Sequence, residues 1–310
     1  LSPLEAAGDN AELVQLLIDA GARAGGAEGS AMLMAALGNK GGHDSVPDAE
    51  KALALIETGA TTDAPNAVAL ACRLRGRCEY FETPYTHEMG RTIVKALLAN
   101  GADPNNLARQ VTPLAYASSH AEPDLKLVEI LLEAGAEIDS QGGKAVTALR
   151  YAIGQNEDDT LFELLLERGA SVERGEGSWS PLHEAVWLGK IELAARLLEH
   201  GSDLEETTSD GRTPICGAAW NDQVEAMKWL REQGAAPDGG DTGWSALMAA
   251  ARKDSVQGVE LLLEAGADPD RQGTMPWDDN DKTPRTAQEH AEAANAGDAA
   301  QVLGQRTGEA

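Results

Sequence analysis

Apolar residues recur along this chain in short bursts at helical spacing, separated by polar, glycine-bearing stretches at a nearly constant interval. The clearest copy runs from Ser178 to Gly211, SWSPLHEAVWLGKIELAARLLEHGSDLEETTSDG. Ser180 before Pro181 suits a helix cap followed by a first turn in which a missing N–H does no harm. A short helix is expected to run on to Leu188, and Gly189-Lys190 turns the chain. Ile191, Leu193, Leu197 and Leu198 then place one apolar stripe on a second helix. His200-Gly201 ends that helix, with Gly201 able to take the left-handed cap conformation. The polar, turn-rich stretch from Ser202 to Gly211 predicts a projecting β-hairpin. Such a unit has one apolar face and buries it only by stacking on neighbours.

Two marks repeat in phase with this copy. The glycine that ends each second helix occurs at Gly21, Gly59, Gly101, Gly135, Gly169, Gly201, Gly234 and Gly266, at spacings of 38, 42, 34, 34, 32, 33 and 32. Helix starts are signalled at Thr112-Pro113, Thr147-Ala148, Ser180-Pro181, Thr213-Pro214, Ser245-Ala246 and Thr283-Pro284. An interval of about 33 residues marks a stacked array, to which the usual one-domain-per-150-residues prior does not apply.

With Ser180-Pro181-Leu182-His183 standing where that family has Thr-Pro-Leu-His, the chain resembles ankyrin-repeat proteins along nearly its whole length. The resemblance implies an all-α solenoid of helix-turn-helix units with short β-hairpin loops and a concave binding face. It divides 1–310, as a single domain, into about nine units: 1–29 (an amino-terminal cap), 30–65, 66–111, 112–146, 147–179, 180–212, 213–244, 245–282 and 283–310 (a polar carboxy-terminal cap). No catalytic module is expected at either end. His183 resembles the family histidine that hydrogen-bonds between neighbouring units.

Composition narrows the function. With 25 basic and 51 acidic residues the formal charge is −26, which repels phosphate and argues against nucleic-acid binding. No run approaches the apolar length of a membrane span. A start at Leu1 reads as a trimmed or mature form, so a removed signal peptide stays open beside the expected cytoplasmic location. Cys72 and Cys216 read as core thiols in a reducing compartment, and Cys72 and Cys78 lack metal-site spacing. No phosphate loop, nucleophile elbow or metalloprotease motif occurs, so neither an enzyme nor a cofactor is expected. Units two and three carry insertions between their helices. The second insertion holds Tyr80, Phe81 and Tyr85 after Arg73, Arg75 and Arg77, a possible second contact site. A smaller excess before Thr283 holds Trp277 and the acidic run Asp278 to Asp281.

All six tryptophans follow residue 178. Trp229 is expected in the core, at the position of Leu197 and Leu262. In ankyrin proteins, partners are contacted mainly by the residue before the Thr-Pro pair, by two residues near the end of the first helix, and by the hairpin tips. Carried onto this chain, the resemblance implies Val111, Val146, Trp179, Arg212 and Trp244 for the first class. It implies Trp187, Leu188, Trp220, Asn221, Arg252 and Lys253 for the second. Four tryptophans thus fall at contact positions in three consecutive units, as expected of binding hot spots. The hairpin ends Asp139, Glu173, Glu205, Asp238 and Asp270 carry acids where Asn is common, and aromatic faces beside carboxylates suit a basic partner. These features predict a binding scaffold, monomeric alone, for a basic protein or peptide. The alternatives are an inhibitor or immunity-type protein that neutralises a basic enzyme, and a regulatory module cut from a larger protein.

Overall fold

The computed structural model describes residues 31–33, 36, 49–57, 67–73, 87–107, 111–120, 122–141, 146–155, 158–175, 179–239, 243–275 and 283–307. The chain divides into two compact units, residues 1–170 and 171–310. Among the described residues of the first unit lie helices α1 (Ala49–Glu57), α2 (Ala67–Arg73), α3 (His87–Ala99), α4 (Pro113–Ser118), α5 (Leu125–Glu133), α6 (Ala148–Gln155) and α7 (Thr160–Glu167). The second unit holds α8 (Pro181–Trp187), α9 (Ile191–Glu199), α10 (Pro214–Trp220), α11 (Val224–Glu232), α12 (Ala246–Arg252), α13 (Val256–Glu264), α14 (Ala287–Ala294) and α15 (Gly297–Thr307).

The helices come in pairs, the second longer than the first except in α6 and α7, which have eight residues each. In the second unit α8 packs on α10, α10 on α12 and α12 on α14, while α11 packs on α13 and α13 on α15. The first unit stacks alike, α2 on α4 and α4 on α6. Fully buried Leu193, Leu197, Met227, Leu230, Val259 and Leu262 line the second helices of the second unit. These are the apolar stripes that 3.6-residue periodicity places on one face. Leu230, not Trp229, takes the place of Leu197 and Leu262, four residues before the helix-ending glycine. Trp229 stands one position earlier, beside the register of Arg196 and Leu261, and is only partly buried. One residue on a helix is a 100° turn, enough to carry the indole out of the core.

Several first helices start as expected of their caps, although Thr213 makes no side-chain cap bond and its hydroxyl donates to Cys216 Sγ at 3.5 Å. The hydroxyls of Thr112, Ser180 and Ser245 accept from the backbone N–H three residues on, at 3.1, 3.4 and 3.2 Å. Second helices end on glycines with φ between +86 and +100°, where a Cβ would be strained. The last pair departs from expectation. Its cap is Thr286, three residues after Thr283: Thr286 Oγ1 accepts from Glu289 N at 3.3 Å, and Glu289 Oε2 accepts from Thr286 N at 2.8 Å. This reciprocal capping box outcompetes Thr283-Pro284, because Arg285 is drawn into an antiparallel bridge with Gly273.

The connecting loops are turns more than hairpins; among the described residues the Gly273–Arg285 pair is an isolated bridge, with no strand. Asp103, Asp203 and Asp268 each accept from the backbone N–H two residues ahead, at 2.8 to 2.9 Å. Side-chain turns of this kind satisfy backbone groups that a ladder would otherwise hold. Tyr80, Phe81, Tyr85, Cys78, Trp277, the amino-terminal cap and the acidic run after Trp277 lie outside the described residues.

Candidate functional site

The expected contact residues of the second unit are organised by their distance from each capping hydroxyl. One position before the cap stand Trp179, Arg212 and Trp244. Seven and eight after it stand Trp187-Leu188, Trp220-Asn221 and Arg252-Lys253, at the ends of α8, α10 and α12. Because those three helices pack in sequence, the six residues form one row.

At one end of the row, Trp179 and Trp187 are both partly buried and meet edge to face, centroids 4.9 Å apart at 70°. Leu188, beside them, is 37% exposed. Arg212 lies 5.8 Å from the Trp179 ring and also pairs with Asp210 through Nε (3.0 Å) and Nη2 (2.8 Å). Burial alone would raise the Asp210 carboxyl. Hydrogen bonds from Thr208 and Arg212, and the Arg212 charge, outweigh it and hold the group below the usual carboxylate range. Arg212 is therefore held in place by its own chain. Beneath the tryptophans His183 is buried: its Nδ1 accepts from the Ser180 hydroxyl at 2.8 Å, so its Nε2–H donates to Arg212 O at 3.0 Å. The bond ties α8 to Arg212, the last residue of its own unit, directly before the next cap.

In the middle, Trp220 is partly buried, and the Lys253 ammonium sits 4.5 Å from its ring centroid. The Asn221 amide donates to Trp187 O at 2.7 Å, so this residue ties two units together although it is exposed. Trp244 does not belong to the surface. It is 1% exposed, with its ring 4.9 Å from His290 and 6.2 Å from Trp220, both edge-on. The expectation that Trp244 meets a partner is corrected by this burial: α14 and His290 cover it. Of the contact positions in the first unit, Val111 is likewise buried and Val146 partly so.

Several hairpin acids also serve the fold. Asn105 bridges adjacent loops, donating to Gly135 O at 3.1 Å and accepting from Glu137 N at 2.8 Å. Glu205 accepts from Ala236 N, Asp238 from Asp268 N and Glu206 from Arg174 N, at 2.6, 3.0 and 2.9 Å. Carboxylates keep the accepting half of the Asn bridge and lose its donor half. The carboxylates of Glu205, Glu206 and Asp238 are thus committed to neighbouring loops.

Two features were missed in the sequence. Tyr116 and Tyr151, each four residues after a cap, are partly buried in the first unit, and burial with the neighbouring Tyr116 raises the Tyr151 hydroxyl while Arg150 opposes the rise. Their shared offset of four from Thr112 and Thr147 was the signal available. In the second unit Gly189, Asp222, Asp254 and Asn295 share an offset of nine, all with φ between +54 and +70°. Asp222 accepts from the Ser255 hydroxyl, and Asp254 from Ala299 N at 2.8 Å.

Cys72 and Cys216 are buried free thiols, Cys72 pushed up to about 12 chiefly by burial. Cys216 occupies the position equivalent to His183, its Sγ 3.9 Å from Gly239 O and Trp244 O. Among the described residues no group of three or more His, Cys, Asp or Glu could hold a metal ion, and no helix is long and apolar enough to cross a membrane.

Comparison with known proteins bears on the fold. A family model for ankyrin repeats matches residues 86–176, 114–208 and 182–273, which together cover more than half of the chain. Over 88 residues the chain is 39% identical to ankyrin repeat and SOCS box protein 11 of Danio rerio, covering 28% of this chain and 30% of that protein. It is 32% identical over 151 residues to the nuclear factor NF-kappa-B p105 subunit of Gallus gallus, covering 47% and 15%. The chain thus spans less than a third of the length of these curated relatives. Among solved structures, the human ASB11 ankyrin repeat domain superposes with a TM-score of 0.58 at 26% identity, covering 77% of this chain and 96% of that one.

Proposed function

The chain belongs to the ankyrin-repeat family, whose repeats generally mediate protein–protein interaction, and from that premise we propose that it is a non-enzymatic scaffold that binds a protein through the row Trp187–Leu188, Trp220–Asn221, Arg252–Lys253, with Trp179 alongside. One observation carries the reading. Trp187 and Leu188 at the end of α8, Trp220 at the end of the neighbouring first helix α10, and Trp179 two residues before α8 gather on one row, with the leucine exposed and each indole only partly covered. Large aromatic side chains left part-exposed on one face are what a partner's hot spots fill. The remaining indole surface is worth about 25 cal/mol for each Å² a partner removes from water. Lys253 and Arg212 hold the rings of Trp220 and Trp179 in place, which lowers the entropy lost on binding.

The formal charge of −26 supports a partner that is basic as a whole, because it draws such a protein in at long range. Association then slows as salt rises. The row tolerates truncation at its exposed edge, so Leu188→Ser and Trp220→Ala test it. Affinity for a partner purified by its retention on the wild-type chain falls roughly tenfold or more in each variant. Circular dichroism checks that both remain folded at the assay temperature. Unchanged affinity in both folded variants refutes the assignment of this face.

A further inference from the structure

We infer that the segment a partner lays along this row is an extended acidic peptide, with an apolar side chain against Trp187 and Leu188 and a carboxylate five or six residues away against Arg252 and Lys253. The inference rests on the binding face proposed above and gives it a partner chemistry. The row has two unlike ends. Trp187 and Leu188 close α8, whereas Arg252 and Lys253 close α12, with Trp220 and Asn221 between them on α10. Among the described residues the cations at the far end have no counter-ion of their own. Arg91, Arg168, Arg196 and Arg212 are paired with Asp124, Glu129, Glu199 and Asp210, but Arg252 and Lys253 form no ion pair with a described residue. Asp254, next in sequence, accepts from Ala299 N, and Asp222, beside Asn221 at the end of α10, accepts from the Ser255 hydroxyl.

The same cations disfavour a basic segment at this spot. Lys253 already occupies one face of Trp220 and Arg212 stands over Trp179, so an arriving Lys or Arg would meet a like charge at each ring. The overall negative charge does not reverse this locally. At physiological ionic strength charges more than about 8 Å apart are largely screened, so the groups that touch the segment decide its sign. A basic protein can therefore be steered to the molecule and still dock through an acidic, apolar segment.

Spacing sets the segment's length. Packed helices lie about 8–10 Å apart, so two steps from α8 to α12 cover roughly 16–20 Å. An extended chain advances about 3.3 Å per residue, which puts the carboxylate about five or six residues from the apolar anchor.

A random peptide library displayed on phage, panned on the full chain, tests this. Peptides retained by the wild type and lost on Trp187→Ala are expected to carry Leu or Phe with Asp or Glu five or six residues away. Their affinity falls roughly five- to tenfold in the double reversal Arg252→Glu, Lys253→Glu, the effect of two exposed ion pairs, and that variant selects Lys or Arg at the same place. If the reversal unfolds the chain, Arg252→Gln, Lys253→Gln replaces it, with the loss expected and the reselection omitted. Trp187-dependent peptides that are basic, or indifferent to the charge at 252 and 253, overturn the inference and leave the binding face standing. A selection that yields no Trp187-dependent peptide overturns the face itself, and the inference with it.

Discussion

Trp244 separates packing from recognition. By its position before a capping serine it belongs with Trp179 as a contact residue, yet it is 1% exposed and wedged edge-on between His290 and Trp220. Truncating a buried Trp to Ala removes the transfer energy of the ring and leaves a cavity, at about 3–5 kcal/mol. Two edge contacts are lost as well, one of them at 4.9 Å from His290. For a folding unit near 150 residues, each kcal/mol lowers Tm by about 2–4 °C, so Trp244→Ala is expected to lose roughly 10 °C. Trp244→Phe keeps an aromatic edge against His290 and is expected to lose less than half as much. Thermal unfolding followed by far-UV circular dichroism measures both, and amide hydrogen exchange should show loss of protection concentrated in α12 and α14. Leu188→Ala is the comparison, since its side chain is 37% exposed and its removal should move Tm by about 2 °C at most. If Trp244→Ala melts with the wild type while binding weakens, the burial argument is wrong and Trp244 is a contact residue after all.

Three further outcomes follow from the geometry. Cys72 and Cys216 should resist a thiol reagent at pH 8 in the folded chain and react once urea unfolds it, as mass spectrometry of the labelled peptides would record, because burial keeps both as thiols. Gly273→Ala should destabilise by about 2–4 kcal/mol in urea titrations, since a Cβ there would drive into the Gly243 carbonyl and come within 2.9 Å of Met248 Sδ. Asp210→Asn should cost stability that is constant from pH 7 down to about 4.5 and shrinks below the ordinary Asp value near 3.9. The folded carboxyl titrates lower than the unfolded one, so its contribution is complete above the unfolded value and vanishes as pH falls through the folded value.

How far these features were legible in the sequence varies with the distance over which they are decided. The Ser180 cap, the stripe of Leu193 and Leu197 and the glycine at 201 act within one helix pair, and each is present where the spacing placed it. His183 was also legible, because its partner, Arg212 O, stands at a fixed offset, one residue before the next cap. The last cap was misplaced from Thr283 for a different reason. Two Thr-bearing starts compete over three residues, and Glu289 decides between them by bonding back to Thr286 N. Trp229 was misplaced by a single position, which periodicity alone resolves poorly where Leu230 stands beside it. The candidate face was legible as positions and not as surfaces: Trp179, Trp187, Trp220 and Leu188 reach solvent, whereas Trp244 does not.

By itself the sequence determined the architecture, because helix starts, stripes and stops are local and repeat about every 33 residues until stacking is the only way to bury them. Tertiary structure alone decided which side chains remain available. Exposure depends on what the next unit puts against a residue: His290 and α14 over Trp244, Ser255 on Asp222, the Ala236 amide on Glu205. Those partners lie roughly a repeat or more away and belong to another helix pair or loop. Only the folded stack therefore distinguishes the tryptophans that pack from those that remain to meet a partner.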